Sequence, residues 1–198
     1  MPILSVAKNG EQLCVVGSDD VWMFSASVWA DIWGPEGSAL TVTGGSKRRQ
    51  NDETDFLIWE MQHELNVGDR ITFSFEEGSI SLPKGRKIED EPTPEEKKID
   101  FFGPVPEEEI IRLESRPALN AQCSWRFKIE GGVELTVAPD TTRQSVGLHL
   151  LWNEDRPQRM RVNLSKSSLR EITSRTGGEE VFLEYVPLGT RFEIAVGI

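Results

Sequence analysis

The sequence predicts a mainly β protein built from two tandem, duplicated antiparallel β units, sandwich-like or barrel-like, with one or two short helices. Three observations carry this reading. Apolar side chains alternate with polar ones along several short segments, as in Ile71, Phe73 and Phe75 or Phe192, Ile194 and Val196, which places them on one face of a strand. The stretch from Asp55 to Phe75 (DFLIWEMQHELNVGDRITFSF) has a shortened echo from Val181 to Val196 (VFLEYVPLGTRFEIAV). Finally, three further strand patterns line up when the chain is slid by 122 residues: Leu13 and Val15 on Leu135 and Val137, Phe24, Ala26 and Val28 on Val146, Leu148 and Leu150, and Leu40 and Val42 on Val162 and Leu164.

In chain order, Ile3 to Ala7 and Gln12 to Val16 are apolar runs joined across Lys8-Asn9-Gly10-Glu11, and Asn-Gly is a strong hairpin signal. From Val21, Trp22, Phe24, Ala26 and Val28 alternate against Met23, Ser25, Ser27 and Trp29, and the run stops at Gly34-Pro35. Ala39 to Thr43 is a short strand, and Gly44 to Thr54 is expected to be a polar loop. The central stretch and its echo each read as a hairpin: an apolar-aromatic run, a turn at Gly68 or Gly189 with glycine at positive φ, then a strand. In the longer loop expected between Trp59 and Val67, His63 faces solvent.

Composition changes at Gly85. Residues 86 to 114 carry ten acids, five bases and four prolines, the signature of a linker with little to bury. Within it Pro106-Glu-Glu-Glu-Ile-Ile-Arg-Leu is suited to a short helix, with proline at its start and acids at the positive end of the helix dipole. The organisation is therefore a first β repeat over 1–85, an acidic, Pro-rich, partly docked connector over 86–117, and a second β repeat over 118–198. In the second repeat Lys166 to Arg175 reads as a two-turn helix capped by Ser167 or Ser168.

Chemistry is sparsely signalled. Two cysteines, Cys14 and Cys123, and two histidines, His63 and His149, have no metal-ligand spacing. No GxSxG elbow, carboxylate pair of recognisable spacing or phosphate loop occurs; Gly44-Gly45-Ser46-Lys47 lacks the leading glycine and the following helix. No catalytic residue, metal site or cofactor is assigned, and the chain reads as a non-enzyme. No apolar run approaches membrane-spanning length and no secretory signal opens the chain, so a cytoplasmic location is expected.

Six tryptophans are the best material for recognition. Trp22, Trp59, Trp125 and Trp152 are assigned to the core. Trp29 and Trp33 stand near a strand end, and Trp29 is out of phase with its inward neighbours, so these two are the exposed anchors.

The net charge is −11 and is unevenly spread: residues 1–85 hold thirteen acids and six bases, whereas residues 115–198 hold ten acids and eleven bases, with Arg156, Arg159, Arg161, Arg170 and Arg175 close together. An overall excess of acid disfavours nucleic acid and favours a basic protein partner. The expected contact surface joins Trp29 and Trp33 with the acids Asp19, Asp20, Glu76 and Glu77. In composition the chain is similar to bacterial partner-binding proteins, such as immunity proteins that neutralise a basic toxin. The functional expectation is non-catalytic protein binding; the alternative is a carbohydrate-binding or small-molecule-binding β module that uses exposed tryptophans.

Overall fold

The computed structural model describes residues 1–30, 38–47, 54–90, 105–116 and 124–197. Trp33, Cys123 and most of the acidic stretch between Arg86 and Glu96 lie outside them. The elements in order are β1 (Pro2–Lys8), β2 (Glu11–Gly17), β3 (Val21–Ala30), β4 (Ser38–Ser46), β5 (Phe56–Glu64), β6 (Arg70–Glu77), β7 (Arg86–Lys87), α1 (Glu107–Glu114), β8 (Trp125–Ile129), β9 (Glu134–Val137), β10 (Ser145–Asn153), β11 (Arg159–Ser167), α2 (Leu169–Ser174), β12 (Glu179–Pro187) and β13 (Thr190–Ala195). A 3-10 turn, Ile88–Asp90, follows β7.

The strands form two antiparallel sheets, one of six in the order β2-β1-β6-β13-β8-β9 and one of seven in the order β12-β11-β10-β3-β4-β5-β7. Each sheet draws on both halves of the chain, which meet at β6 with β13 and at β3 with β10. At these seams Thr72 pairs with Glu193 and Ser27 pairs with His149. Alternation aims one face of each sheet at a shared core. Leu4, Val6, Phe73, Phe75, Phe127 and Ile194 fill it from one side, and Phe24, Ala26, Val28, Leu148, Leu150 and Val162 from the other; all are essentially without solvent contact. Phe24 stacks on Trp152 at 4.9 Å and Phe73 on Phe192 at 5.3 Å, arrangements that add to the burial energy of the rings.

The two stretches read as hairpins are not hairpins. β5 and β12 belong to the seven-stranded sheet, while β6 and β13 belong to the six-stranded one, so the chain crosses the core at each turn. The turn glycines do have positive φ, +96° at Gly68 and +90° at Gly189. Both halves of each stretch carry inward apolar residues, and burying both against one core is met better by opposite sheets than by neighbours in one.

Other boundaries shift for identifiable reasons. β4 continues to Ser46 through Gly44 and Gly45, because absent side chains there make room for Trp22: a Cβ on Gly45 would lie 2.5 Å from the indole nitrogen. An irregularity in the β3–β4 register between Val21 and Met23 interrupts the alternation, so Val21 is buried while Trp22 and Met23 are both half-exposed. β5 runs on to Glu64 with Gln62 at φ +52°, so His63 is in a strand, half-buried, with Nδ1 3.2 Å from Glu60 Oε2.

The β1–β2 hairpin matches its reading, with Asn9 and Gly10 at φ +53° and +86°. Val6 pairs with Cys14 and Ala7 with Gln12, which leaves Leu13 in a bulge. In β8 and β9, Phe127 pairs with Leu135.

The helices fall where capping predicts. Ser168 and Glu171 make a reciprocal capping box at α2, and α1 starts after Pro106. α1 docks on α2 through Ile110 against Leu169, and the Arg170 guanidinium lies 2.9 Å from Glu107 and 3.0 Å from Glu114.

Candidate functional site: the outer face of the seven-stranded sheet

The register of β4, β3, β10, β11 and β12 dictates what this face presents. Because Phe24, Val28, Leu148, Leu150, Val162 and Val186 point into the core, their neighbours point out. From β4 come Ala39, Thr41 and Thr43; from β3, Ser25, Ser27 and Trp29; from β10, Gly147, His149 and Leu151; from β11, Arg159, Arg161 and Asn163; from β12, Leu183 and Tyr185. None of these residues is acidic, although Glu180 of β12, opposite Ser165, accepts from Asn163 Nδ2 at 3.5 Å. On β3 and β4 most are small and polar, and Ser25 and Thr43 hydrogen-bond across the strands at 3.0 Å.

Trp29 is the larger of the two exposed aromatic side chains on this face, the other being Tyr185, and is 43% exposed. It pairs with Gly147, and a Cβ on that glycine would lie 2.9 Å from the indole Cζ3, so the ring rests on bare backbone. One indole face is thereby covered and the other is left to solvent. Trp59, Trp125 and Trp152 are in the core.

At the opposite end of the face a depression is lined by Leu151, Asn153, Asp155, Arg156, Arg159, Arg161 and Tyr185. The Arg156 guanidinium carbon lies 4.8 Å from the centre of the Tyr185 ring, a cation–π contact. Among the described residues none of the three arginines forms a salt bridge. The charge of the arginine-rich stretch therefore divides: Arg170 is neutralised by α1, while Arg156, Arg159 and Arg161 remain beside a lone Asp155. His149 sits one strand pair from Arg161, and burial, reinforced by that cation, lowers its pKa below the ordinary histidine value, which keeps the imidazole neutral near pH 7.

The predicted acids lie elsewhere. Asp19 and Asp20 form the β2–β3 turn, and Glu76 and Glu77 end β6, all at one rim of the sandwich. Asp19, Glu76 and Glu77 are exposed and Asp20 is half-buried; Asp20 Oδ2 accepts the Ser81 amide at 2.8 Å and Glu76 accepts the Ser5 hydroxyl at 3.2 Å. Trp29 is nine residues along β3 from Asp20, about 30 Å at strand rise. The structure thus brings the four acids together but not with Trp29. The alternation that isolates Trp29 was readable in the sequence; the arginine depression was not, because Tyr185 joins it only through β-pairing with Arg161.

Cys14 is buried, and burial, with Glu60 nearby, pushes its thiol up to about 12, so it is an inert core residue. Among the described residues no group of His, Cys, Asp or Glu is placed to hold a metal, and no helix is long and apolar enough to cross a membrane. Compared with known proteins, the chain matches no family model, no curated protein and no solved structure.

Proposed function

We propose that this protein is a non-catalytic protein-binding β-sandwich whose recognition face is the outer surface of the seven-stranded sheet, with Trp29 as the anchor. The observation that carries the reading is the seat of Trp29 on Gly147. A large ring pre-positioned on backbone and left open on one side loses little conformational entropy on binding and excludes much water. The neighbouring Ser and Thr side chains of β3 and β4 offer hydrogen bonds. The acid rim of Asp19, Asp20, Glu76 and Glu77 is a separate surface, and a basic partner steered to it would leave Trp29 out of contact.

The proposal includes descent of the two halves from one unit. Its support is the strand order, which apart from β7 runs outward in each sheet from a central seam through strands that correspond in the 122-residue alignment or in the two echoing stretches.

A photoreactive residue placed at Thr41 or Asn163 in the native host should crosslink to one protein, and adding Trp29→Ala should abolish the adduct. The same group at Ser74, on the outer face of the other sheet, should give none. Equal labelling from both sheets would sink the proposal. The exposed indole on a hydroxyl-rich face also favours carbohydrate binding as a second reading; quenching of Trp29 emission by glycans, independent of salt, would select it.

A further inference from the structure

Among the described residues, three cations of this acidic protein lie close together without a salt bridge. Arg156, Arg159 and Arg161 converge on one open depression, and the geometry points to a docking site for an acidic polypeptide segment of the partner, a run of carboxylates that the arginines receive while the following residues cross the sheet to Trp29. This rests on the reading of the same face as the recognition surface.

Several other cations of the protein are paired. Lys8 pairs with Asp69 at 3.0 Å, Lys47 with Glu154 at 3.2 Å, Arg143 with Glu171 at 3.0 Å and Lys166 with Asp140 at 2.9 Å. Among the described residues Arg156, Arg159 and Arg161 form no such pair, and the three line one depression. Guanidinium groups bind carboxylates through two parallel N–H donors, and Tyr185 holds that of Arg156 by its ring, which limits the freedom lost when an anion arrives. Asp155 is the one acid in the lining, leaving a local excess of two positive charges, from three arginines less one aspartate.

The size of the patch selects the ligand. Leu151 stands beside Arg161 and Gly147 beside Trp29, so the depression and the indole are separated by four residues along β10 and two strand spacings across. That is about 16 Å, the reach of roughly five extended residues, so a peptide segment spans both while a free ion reaches only the arginines. A long uniform polyanion such as nucleic acid would overrun the patch onto Glu154, Asp155 and the Asp19–Asp20 rim, where it is repelled. A short acidic run followed by apolar or polar residues meets no such opposition.

The test uses the full chain and a fluorescein-labelled oligoglutamate peptide ending in a leucine-rich tail, followed by anisotropy at low and at physiological salt. Binding should weaken with salt, and Arg159→Gln with Arg161→Gln should reduce affinity about tenfold or more, whereas Lys128→Gln on the outer face of the other sheet should leave it unchanged. Thermal melts check that these substitutions leave the fold intact, and Arg159→Lys with Arg161→Lys, which keeps charge and loses the fork, should fall between. Unchanged affinity in the double glutamine variant overturns the inference. So does tighter binding of oligothymidylate than of oligoglutamate, or complete displacement by millimolar inorganic phosphate. Loss of crosslinking at Thr41 with the arginine dependence intact would instead remove Trp29 alone, so the two readings fail separately.

Discussion

The Gly189 amide donates to the Phe75 carbonyl at 2.7 Å, and the Gly68 amide donates to the Val196 carbonyl at the same distance. Each crossing turn thus leans on the end of the strand that follows the other crossing turn, tying the two sheet switches together beside the β6–β13 seam. Both glycines need positive φ, and a Cβ at either would meet nothing within 4 Å, so replacement costs conformation and not space. Gly68→Ala and Gly189→Ala should each destabilise by about 1 kcal/mol in urea titrations, with unchanged m-values. A neutral effect at both would mean the turns relax freely.

Gly147 offers a different test, because its missing side chain is what Trp29 rests on. In Gly147→Ala the ring must swing outward, which is cheap for the tip of a flexible side chain, so stability should change by less than about 1 kcal/mol. Trp29 emission, isolated by subtracting the Trp29→Phe spectrum, should shift to the red and become more quenchable by acrylamide. Identical emission would show that the indole is not held by that contact.

Asp69 holds the β5–β6 crossing together. Burial works against its charge, but the Asn66 amide at 2.8 Å, Asn9 Nδ2 at 2.7 Å and Lys8 Nζ at 3.0 Å outweigh it and lower its pKa. A depressed carboxylate pKa contributes stability that is present above the unfolded value, near 4, and lost as pH falls through the folded value. Asp69→Asn should therefore cost about 1–2 kcal/mol at pH 7, with the gap to the parent closing below about pH 4. A gap constant from pH 7 to 3 would show that charge plays no part.

His149 makes a prediction of the same sign from the opposite kind of group. Its folded pKa is lowered by burial first and by Arg161 second, so the neutral ring is the one the fold accommodates. The unfolded chain takes up the proton first; stability is complete above about 6.5, the ordinary histidine value, and declines as pH drops toward the folded value. His149→Asn should flatten that decline between pH 7.5 and 5.5 in urea titrations. An acidic segment seated on Arg161 should raise the His149 pKa, visible in an imidazole NMR titration with and without the oligoglutamate probe; no change on binding would place the peptide away from Arg161.

The alternating residues determined the strands, the inward set Phe24, Ala26 and Val28, the positive φ of Gly68 and Gly189, the capping box of α2 and the exposure of Trp29, because each depends on neighbours within a few positions. They could not determine which strands pair. Phe182 and Phe192 look like two sides of a hairpin in one dimension, yet they enter the core from opposite sheets, since nothing local distinguishes a two-residue hairpin from a two-residue crossing. The acids were read as one surface with Trp29 because charge has no position until β3 sets Asp20 and Trp29 about 30 Å apart. Likewise Arg156, Arg159 and Arg161 looked interchangeable with Arg170. Only the docking of α1, which gives Arg170 the carboxylates of Glu107 and Glu114, separated it from the arginines that line the depression.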